Sequence, residues 1–149
     1  MSNFDLIGLK IFNIWDPLEN KNFWEALIEV PTIYSLYNLH LFIQDVIHFD
    51  NDHLFEFYAG RNERNRKVTF TEESGYPHDG GAYENILIKD IYPLTPLKLF
   101  YHFDFGDSWI FEIHKMRKKV VVEEGVEYPR VASGNGIILK QYIDVDELY

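Results

Sequence analysis

Apolar residues alternate with others near the start of the chain, where Gly8 and Lys10 separate Ile7, Leu9 and Ile11. A period of two predicts a half-buried strand. Turn chemistry follows from Asp16-Pro17 to Asn22. Trp24, Ala26, Ile28 and Val30 then take one face of a second strand, with Glu25 and Glu29 on the other. Two strands joined by a short polar turn make an antiparallel pair. Pro31 ends the second strand, and Thr32 is placed to cap a helix by accepting a backbone N–H bond. Leu36, Leu39, Ile43, Val46 and Ile47 recur at helical spacing, with His40 on the same stripe. Asp50-Asn51-Asp52 should stop this helix near Phe49.

His53 to Tyr58 reads as a third strand, Gly60 to Lys67 as a charged turn and Val68 to Thr71 as a short strand. Residues 72–85 hold Gly75, Pro77, Gly80 and Gly81 and read as a long surface loop, functional or mobile. Ile86 to Ile91 is apolar but too short to classify. The most regular stretch is Lys98 to Val122, where Leu99, Tyr101, Phe103 and Phe105 alternate with Phe100, His102 and Asp104. Trp109, Phe111 and Ile113 resume the alternation after Gly106-Asp107-Ser108. In that turn Gly106 is expected to supply the positive φ and Asp107 to bond the turn amides. Aromatics on both faces predict a central hairpin, with Phe103 and Trp109 on paired strands. The elements together predict an α+β fold: a single-domain roll over residues 1–149, with a mainly antiparallel curved sheet packed on one principal helix near residues 33–48.

Composition sharpens this picture in three places. With 149 residues, 46% hydrophobic and 17% aromatic, the chain can bury a core of its own. It has no cysteine, which removes disulfides and thiolate zinc sites. No apolar run approaches the roughly 20 residues that cross a bilayer, so no membrane role is expected. Met1-Ser2-Asn3-Phe4-Asp5 lacks a basic start and an apolar run, so the cytoplasm is the expected compartment. The net charge of −10, from 14 basic against 24 acidic residues, weighs against nucleic acid as a partner without closing that reading.

Tyr101 to Trp109, with its Asp104-Phe105-Gly106-Asp107-Ser108-Trp109 core, resembles the hairpin signature of the plasmid pRiA4b ORF-3-like family. Leu39-His40, Ile43-Gln44, His53-Leu54 and Phe57 are similar to the same family, as is Tyr128-Pro129-Arg130-Val131 followed by Gly134 and Gly136. The resemblance implies an α+β fold and a link to plasmids and insertion elements. Members sometimes carry the label of TnpR-type passenger proteins. A serine recombinase needs a nucleophilic serine among arginines. None of Ser2, Ser35, Ser74, Ser108 and Ser133 has that neighbourhood in the sequence, so the label is read as genomic context. Family hairpins place a histidine two residues after the tryptophan and a glutamate further along; Phe111 and Met116 stand there instead. The family's acidic C-terminal stretch is replaced by Ile138-Leu139-Lys140-Gln141-Tyr142.

These segments nominate His40, Asp104, Asp107, Trp109 and Arg130 as binding candidates. Asp104 and Asp107 flank a tight turn beside Trp109 and could hold a metal or share a proton; turn aspartates more often satisfy backbone amides. His48, Asp50, Asp52 and His53 are the densest group of possible ligands, but they straddle a helix end, where Asp and Asn act as breakers. His40 on an apolar stripe reads as a core histidine bonded at both nitrogens; in a fold like that of the resembling family, Asp104 or a hairpin carbonyl is the alternative partner. Arg61, Arg64, Arg66 and Lys67 form one basic run, and Lys115, Arg117, Lys118 and Lys119 another; only on a shared face would they contact phosphates.

No catalytic residue, metal ligand or cofactor is assigned, because no nucleophile–base pair, phosphate loop, dinucleotide fingerprint or metal motif is present in sequence. The leading expectation is a non-enzymatic interaction module from a plasmid or mobile-element background, binding an unidentified protein partner. A nucleic-acid-binding accessory protein comes second, and a small metal-dependent enzyme using Asp104, Asp107 and a histidine third. No residue pattern specifies an oligomeric state. On this charge balance, DNA titrated at physiological salt should bind no tighter than roughly 10 μM, and a sub-micromolar complex would reverse the first two readings.

Overall fold

A computed structural model describes residues 5–16, 23–70, 81–92, 94, 96–106 and 108–136. The alternation of Ile7, Leu9 and Ile11 becomes β1 (Leu6–Trp15), and that of Ala26, Ile28 and Val30 becomes β2 (Trp24–Pro31). The two strands are antiparallel with Leu9 opposite Ile28 and Ile11 opposite Ala26, so one register buries both apolar sets. β3 (Phe55–Gly60) and β4 (Arg66–Phe70) form a hairpin. β5 (Lys98–Phe103) and β6 (Trp109–Lys115) form the central one, with Phe103 opposite Trp109 and Tyr101 opposite Phe111. β7 (Arg130–Gly136) adds to the free edge of β2. The sheet runs β4-β3-β5-β6-β1-β2-β7, and every neighbouring pair is antiparallel.

The α+β class holds, but one principal helix is not the whole helical content. Among the described residues two α-helices accompany the sheet: α1 (Leu36–Ile47) and the short α2 (Ile88–Ile91), within the segment whose pattern is too short to classify. The cap of α1 is Ser35 rather than Thr32. The Ser35 side chain accepts the Asn38 N–H at 3.1 Å, while the Thr32 carbonyl accepts the Lys89 N–H at 2.9 Å and so ties α2 to the end of β2. His48 closes α1 in the left-handed region at φ 60°. Residues 71–80, most of the expected long loop, and the divergent segment 138–142 lie outside the described residues; Gly81–Glu84 form a 3-10 turn.

The hairpin turn also departs from expectation. Positive φ falls on Asp104 and Ser108, each at 60°, and not on Gly106. The Asp104 carboxylate accepts the Gly106 N–H at 3.2 Å, and its carbonyl accepts the Ser108 N–H at 2.6 Å. Asp tolerates this conformation because its short side chain bonds locally.

Beneath α1 the core face of the sheet is aromatic, and one polar circuit crosses it. Gln44 Nε2 donates to the Tyr101 hydroxyl at 2.9 Å, so that hydroxyl is free to donate onward to His40 Nδ1 at 2.5 Å. His40 Nε2–H then donates to Asn51 Oδ1 at 2.6 Å, and the Asn51 N–H returns to Gln44 Oε1 at 3.0 Å. The ring of donors closes only with neutral His40 protonated at Nε2. Tyr101, His40 and Gln44 are all buried, and His40 stacks on Phe55 with ring centres 3.6 Å apart. Asn51 reaches back because it too sits at positive φ, 53°, just past the helix.

This circuit makes the fold acid-sensitive in a defined window. Burial lowers the His40 pKa to about 4, with the Asn51 hydrogen bond acting in the opposite direction. An unfolded histidine titrates near 6.5, so as pH falls from there toward 4 the unfolded chain takes up a proton that the native chain refuses. Stability is therefore full above the unfolded value and is lost on acidification, by about 2 kcal/mol between pH 7.5 and 5.0. Urea unfolding at the two pH values should show this loss, and a His40→Gln variant, less stable at pH 7.5, should show a flatter dependence. An unchanged slope in the variant would remove His40 from the account.

Candidate functional site

In an antiparallel sheet the strand ends meet in two sets, and here those sets differ in charge. β3, β6 and β2 end where β4, β5, β1 and β7 begin. That end carries the β3–β4 turn with Arg61, Arg64, Arg66 and Lys67, Lys98 at the head of β5, and Lys115, Arg117, Lys118 and Lys119 at and beyond the tail of β6. Arg130 at the head of β7 and Lys89 on α2 complete it, making 11 of the chain's 14 basic residues. The two basic runs, 48 or more residues apart in the chain, thus share one end of the sheet. The opposite end gathers Asp16, Asp50, Asp52 and Asp104.

Four of these cations are paired. Arg66 meets Glu56 at 2.5 Å, Arg130 meets Glu29 at 2.5 Å, and Arg64 and Lys98 make looser pairs with Glu63 at 3.8 Å and Glu112 at 3.9 Å. The other seven form no ion pair among the described residues.

Met116 is the hub of the surface between them. The chain after β6 folds back over the head of β1: the Met116 N–H bonds the Gly8 carbonyl at 2.8 Å, and Val120 bridges to Leu6. Gly8 lies against this segment: a Cβ there would meet Met116 and Val120 side-chain atoms at 3.4 Å, a packing contact. Among the described residues, four grooves adjoin Met116. One of about 410 Å³ is lined by Tyr92, Leu97, Leu99, Ile113, Lys98 and Lys115, and one of about 390 Å³ by Leu6, Ile88, Tyr92, Lys89, Arg117 and Lys119. The third, about 370 Å³, runs along Leu27, Val120 and Val121 beside Lys118, and the fourth, about 480 Å³, along Lys10, Glu25 and Ser133. Cations and apolar side chains share these linings, and Asp5, Glu25, Glu29 and Glu123 line them too.

The candidates named from sequence do not form one site. Asp104 lies at the opposite, acidic end; its carboxylate serves the turn and approaches His53 Nε2 at 3.4 Å. Trp109 is core, packed edge-on against Phe49 at 4.9 Å, with an indole N–H that finds no hydrogen-bond acceptor among the described residues. His40 is committed to Tyr101 and Asn51 and does not bond Asp104 or a hairpin carbonyl. Arg130 alone belongs to the basic end, where it pairs with Glu29 and lies 5.6 Å from the Tyr128 ring. Asp107 lies outside the described residues. Of the helix-end group, His53 approaches Asp52 at 3.7 Å, and no cluster of three or more His, Cys, Asp or Glu able to hold a metal occurs among the described residues. Lys89, Lys98 and Met116 escaped the sequence reading because nothing linear marks them; only strand direction brings them together.

Comparisons with known proteins agree with this fold. The crystal structure of a protein of unknown function from Methanosarcina mazei Go1 matches with a TM-score of 0.67 at 25% identity, over 89% of this chain and 70% of that one. No curated protein matches the sequence. No helix among the described residues is long and apolar enough to cross a membrane. The family profile described as plasmid pRiA4b ORF-3-like protein matches residues 19–143, a span that holds β2 through β7 and all three of the segments that carried the resemblance. The chain belongs to the plasmid pRiA4b ORF-3-like family.

Proposed function

We propose that this protein is an interaction module that takes an extended acidic and apolar segment of a protein partner along the basic end of its sheet. The observation that carries the reading is the surface around Met116, where Lys89, Lys115, Arg117, Lys118 and Lys119, which form no ion pair among the described residues, share the grooves with apolar side chains. A ladder of strands about 4.8 Å apart gives the seven-stranded end a length of about 29 Å, enough for roughly nine extended residues. Carboxylates of the partner meet Lys115, Lys118 and Lys119, while its apolar side chains enter the grooves walled by Leu97, Ile113 and Val120. Val121, 71% exposed, adds apolar surface that a phosphate backbone would not use. Methionine suits such a hub because its unbranched thioether adapts to varied partners. The lining offers charge and apolar contact and no nucleophile paired with a base, so at this surface the module binds rather than catalyses. The family's plasmid descriptor and the lack of cysteine fit a cytoplasmic protein of a plasmid or mobile-element background.

A nucleic-acid reading has one observation of its own, the arrival of both basic runs at the same end of the sheet. The carboxylates of Asp5, Glu29 and Glu123 in the same grooves oppose evenly spaced phosphates, which places it second.

Fluorescence anisotropy with a labelled peptide alternating glutamate and leucine tests the proposal against a labelled DNA duplex. The peptide should bind, and a Lys115→Glu, Lys118→Glu, Lys119→Glu variant should weaken it by on the order of tenfold or more, since charge reversal at an interface is strongly unfavourable. Duplex bound tighter than roughly 10 μM at physiological salt and released by the same variant would hand the surface to nucleic acid. Binding of neither would overturn it.

A further inference from the structure

The outer face of the sheet, away from α1, carries a second arrangement near the opposite end. Glu56 on β3 lies directly across from His102 on β5, and His102 lies across from Ile110 on β6. His102 Nδ1 is 3.3 Å from Glu56 Oε1, and its Nε2 is 3.1 Å from Ser108 Oγ. Three side chains from three separate stretches thus stand in the order carboxylate, imidazole, hydroxyl. We propose that Ser108, His102 and Glu56 form a nucleophilic relay that accepts acyl groups from esters of apolar acids. This adds a chemical activity to the protein and is independent of the binding surface at the basic end.

The Ser108 hydroxyl has two acceptors in reach, His102 Nε2 at 3.1 Å and the Phe105 carbonyl at 3.4 Å, and the relay uses the first. Burial raises the Glu56 carboxyl, but hydrogen bonds from His102 and Arg66, with the charge of Arg66 and that of His102 when protonated, outweigh it and keep Glu56 a carboxylate. A carboxylate only accepts, so the neutral His102 ring carries its proton on Nδ1 and turns the Nε2 lone pair toward Ser108. This is the tautomer that a serine nucleophile requires of its base. Ser108 also holds a left-handed backbone, φ 60°, pinned by its N–H bond to the Asp104 carbonyl at 2.6 Å. Such strain at a turn that presents a serine is the logic of a nucleophile elbow. Beside the hydroxyl, Phe105 is 46% exposed with its ring 4.8 Å from His102, and with Ile110 it makes an apolar shelf for an acyl chain.

In the reaction Ser108 Oγ bonds the ester carbonyl carbon as its proton passes to His102 Nε2. The tetrahedral adduct collapses by breaking the ester C–O bond, and the leaving alkoxide takes the proton from His102. Water then attacks the acyl-serine with the same proton exchange and releases the acid, restoring the serine. Ser108 and His102 are the catalytic residues, and Glu56 is a positioning residue that acts through His102. Arg66 shares Glu56 Oε1 at 2.5 Å and draws on its charge, so acylation should be easier to see than rapid turnover.

An alkyl fluorophosphonate reads the first step directly: serine oxygen bonds phosphorus and fluoride leaves. Intact-mass spectrometry of the full chain should show one adduct, mapped to Ser108 and absent from Ser108→Ala. His102→Gln should slow labelling by roughly a hundredfold, the contribution of a positioned base. Glu56→Gln should slow it by about tenfold and Glu56→Asp should recover most of that rate, a rescue by charge that a purely structural role would not produce. Thermal unfolding of each variant checks that it folds, and Ser108→Ala, at an exposed turn, removes no core contact. No adduct on the folded wild type, or equal labelling of Ser108→Ala, would overturn the proposal.

Discussion

A phenol hydroxyl buried in the middle of a sheet needs both a donor and an acceptor, and here both come from one helix. Tyr101 is fully buried on β5, and α1 presents Gln44 and His40, four residues apart and so on one face, to give and receive its hydrogen bonds. Asn51, on the turn after the helix, closes the circuit. Apolar packing alone would let α1 slide or rotate on an aromatic bed. Two directional bonds to Tyr101, with two more that hold the same helix side chains to Asn51, are costly to leave unmade in a low-dielectric interior and set one position. With α1 fixed, its C-terminal turn meets the hairpin at Phe49 and Trp109, and its N-terminus meets α2 through the Leu36–Ile86 and Ile88–Tyr34 backbone bonds. The basic end is organised from there.

Charge tells a second lesson. A net charge of −10 argues against anionic partners only if a partner feels the whole molecule. At physiological salt the Debye length is about 8 Å, far less than the roughly 30 Å between the two ends of the sheet's longer strands. A ligand at the basic end therefore meets Lys115, Arg117, Lys118, Lys119, Lys89 and Lys98, with Asp5, Glu29, Glu63, Asp90, Glu112 and Glu123 among the nearby acids. Alternating strand direction sorts the charges, and the overall balance hides the sorting.

What could be read from the sequence follows from which interactions are periodic. β1, β2 and α1 each bury mainly one face, and the β5–β6 hairpin buries one face fully and Phe100 on the other, so their patterns survive in the chain. Arg130 to Gly136 shows no alternation of large apolar groups; it becomes a strand because β2 leaves an edge of unpaired backbone groups beside it. α2 is a single turn, shorter than any period can mark. Gly106 looked like the residue for positive φ, yet Asp104 and Ser108 take it, because the turn is closed by bonds from Asp104 rather than by a bare glycine. The partners of His40 depend on the rotation of α1, and the meeting of the two basic runs depends on strand order. Neither is a local property.

Replacing Tyr101 with Phe tests the central constraint with the loss of a single oxygen atom. It leaves the ring and its packing, but strands the Gln44 amide and His40 Nδ1 without the partner each now has. Urea unfolding at pH 7.5 should show a loss of at least about 2 kcal/mol, the cost of leaving buried polar groups unsatisfied. A variant within about 0.5 kcal/mol of the wild type, as expected of an uninvolved position, would mean that apolar packing alone seats the helix and that the circuit is not what fixes the fold.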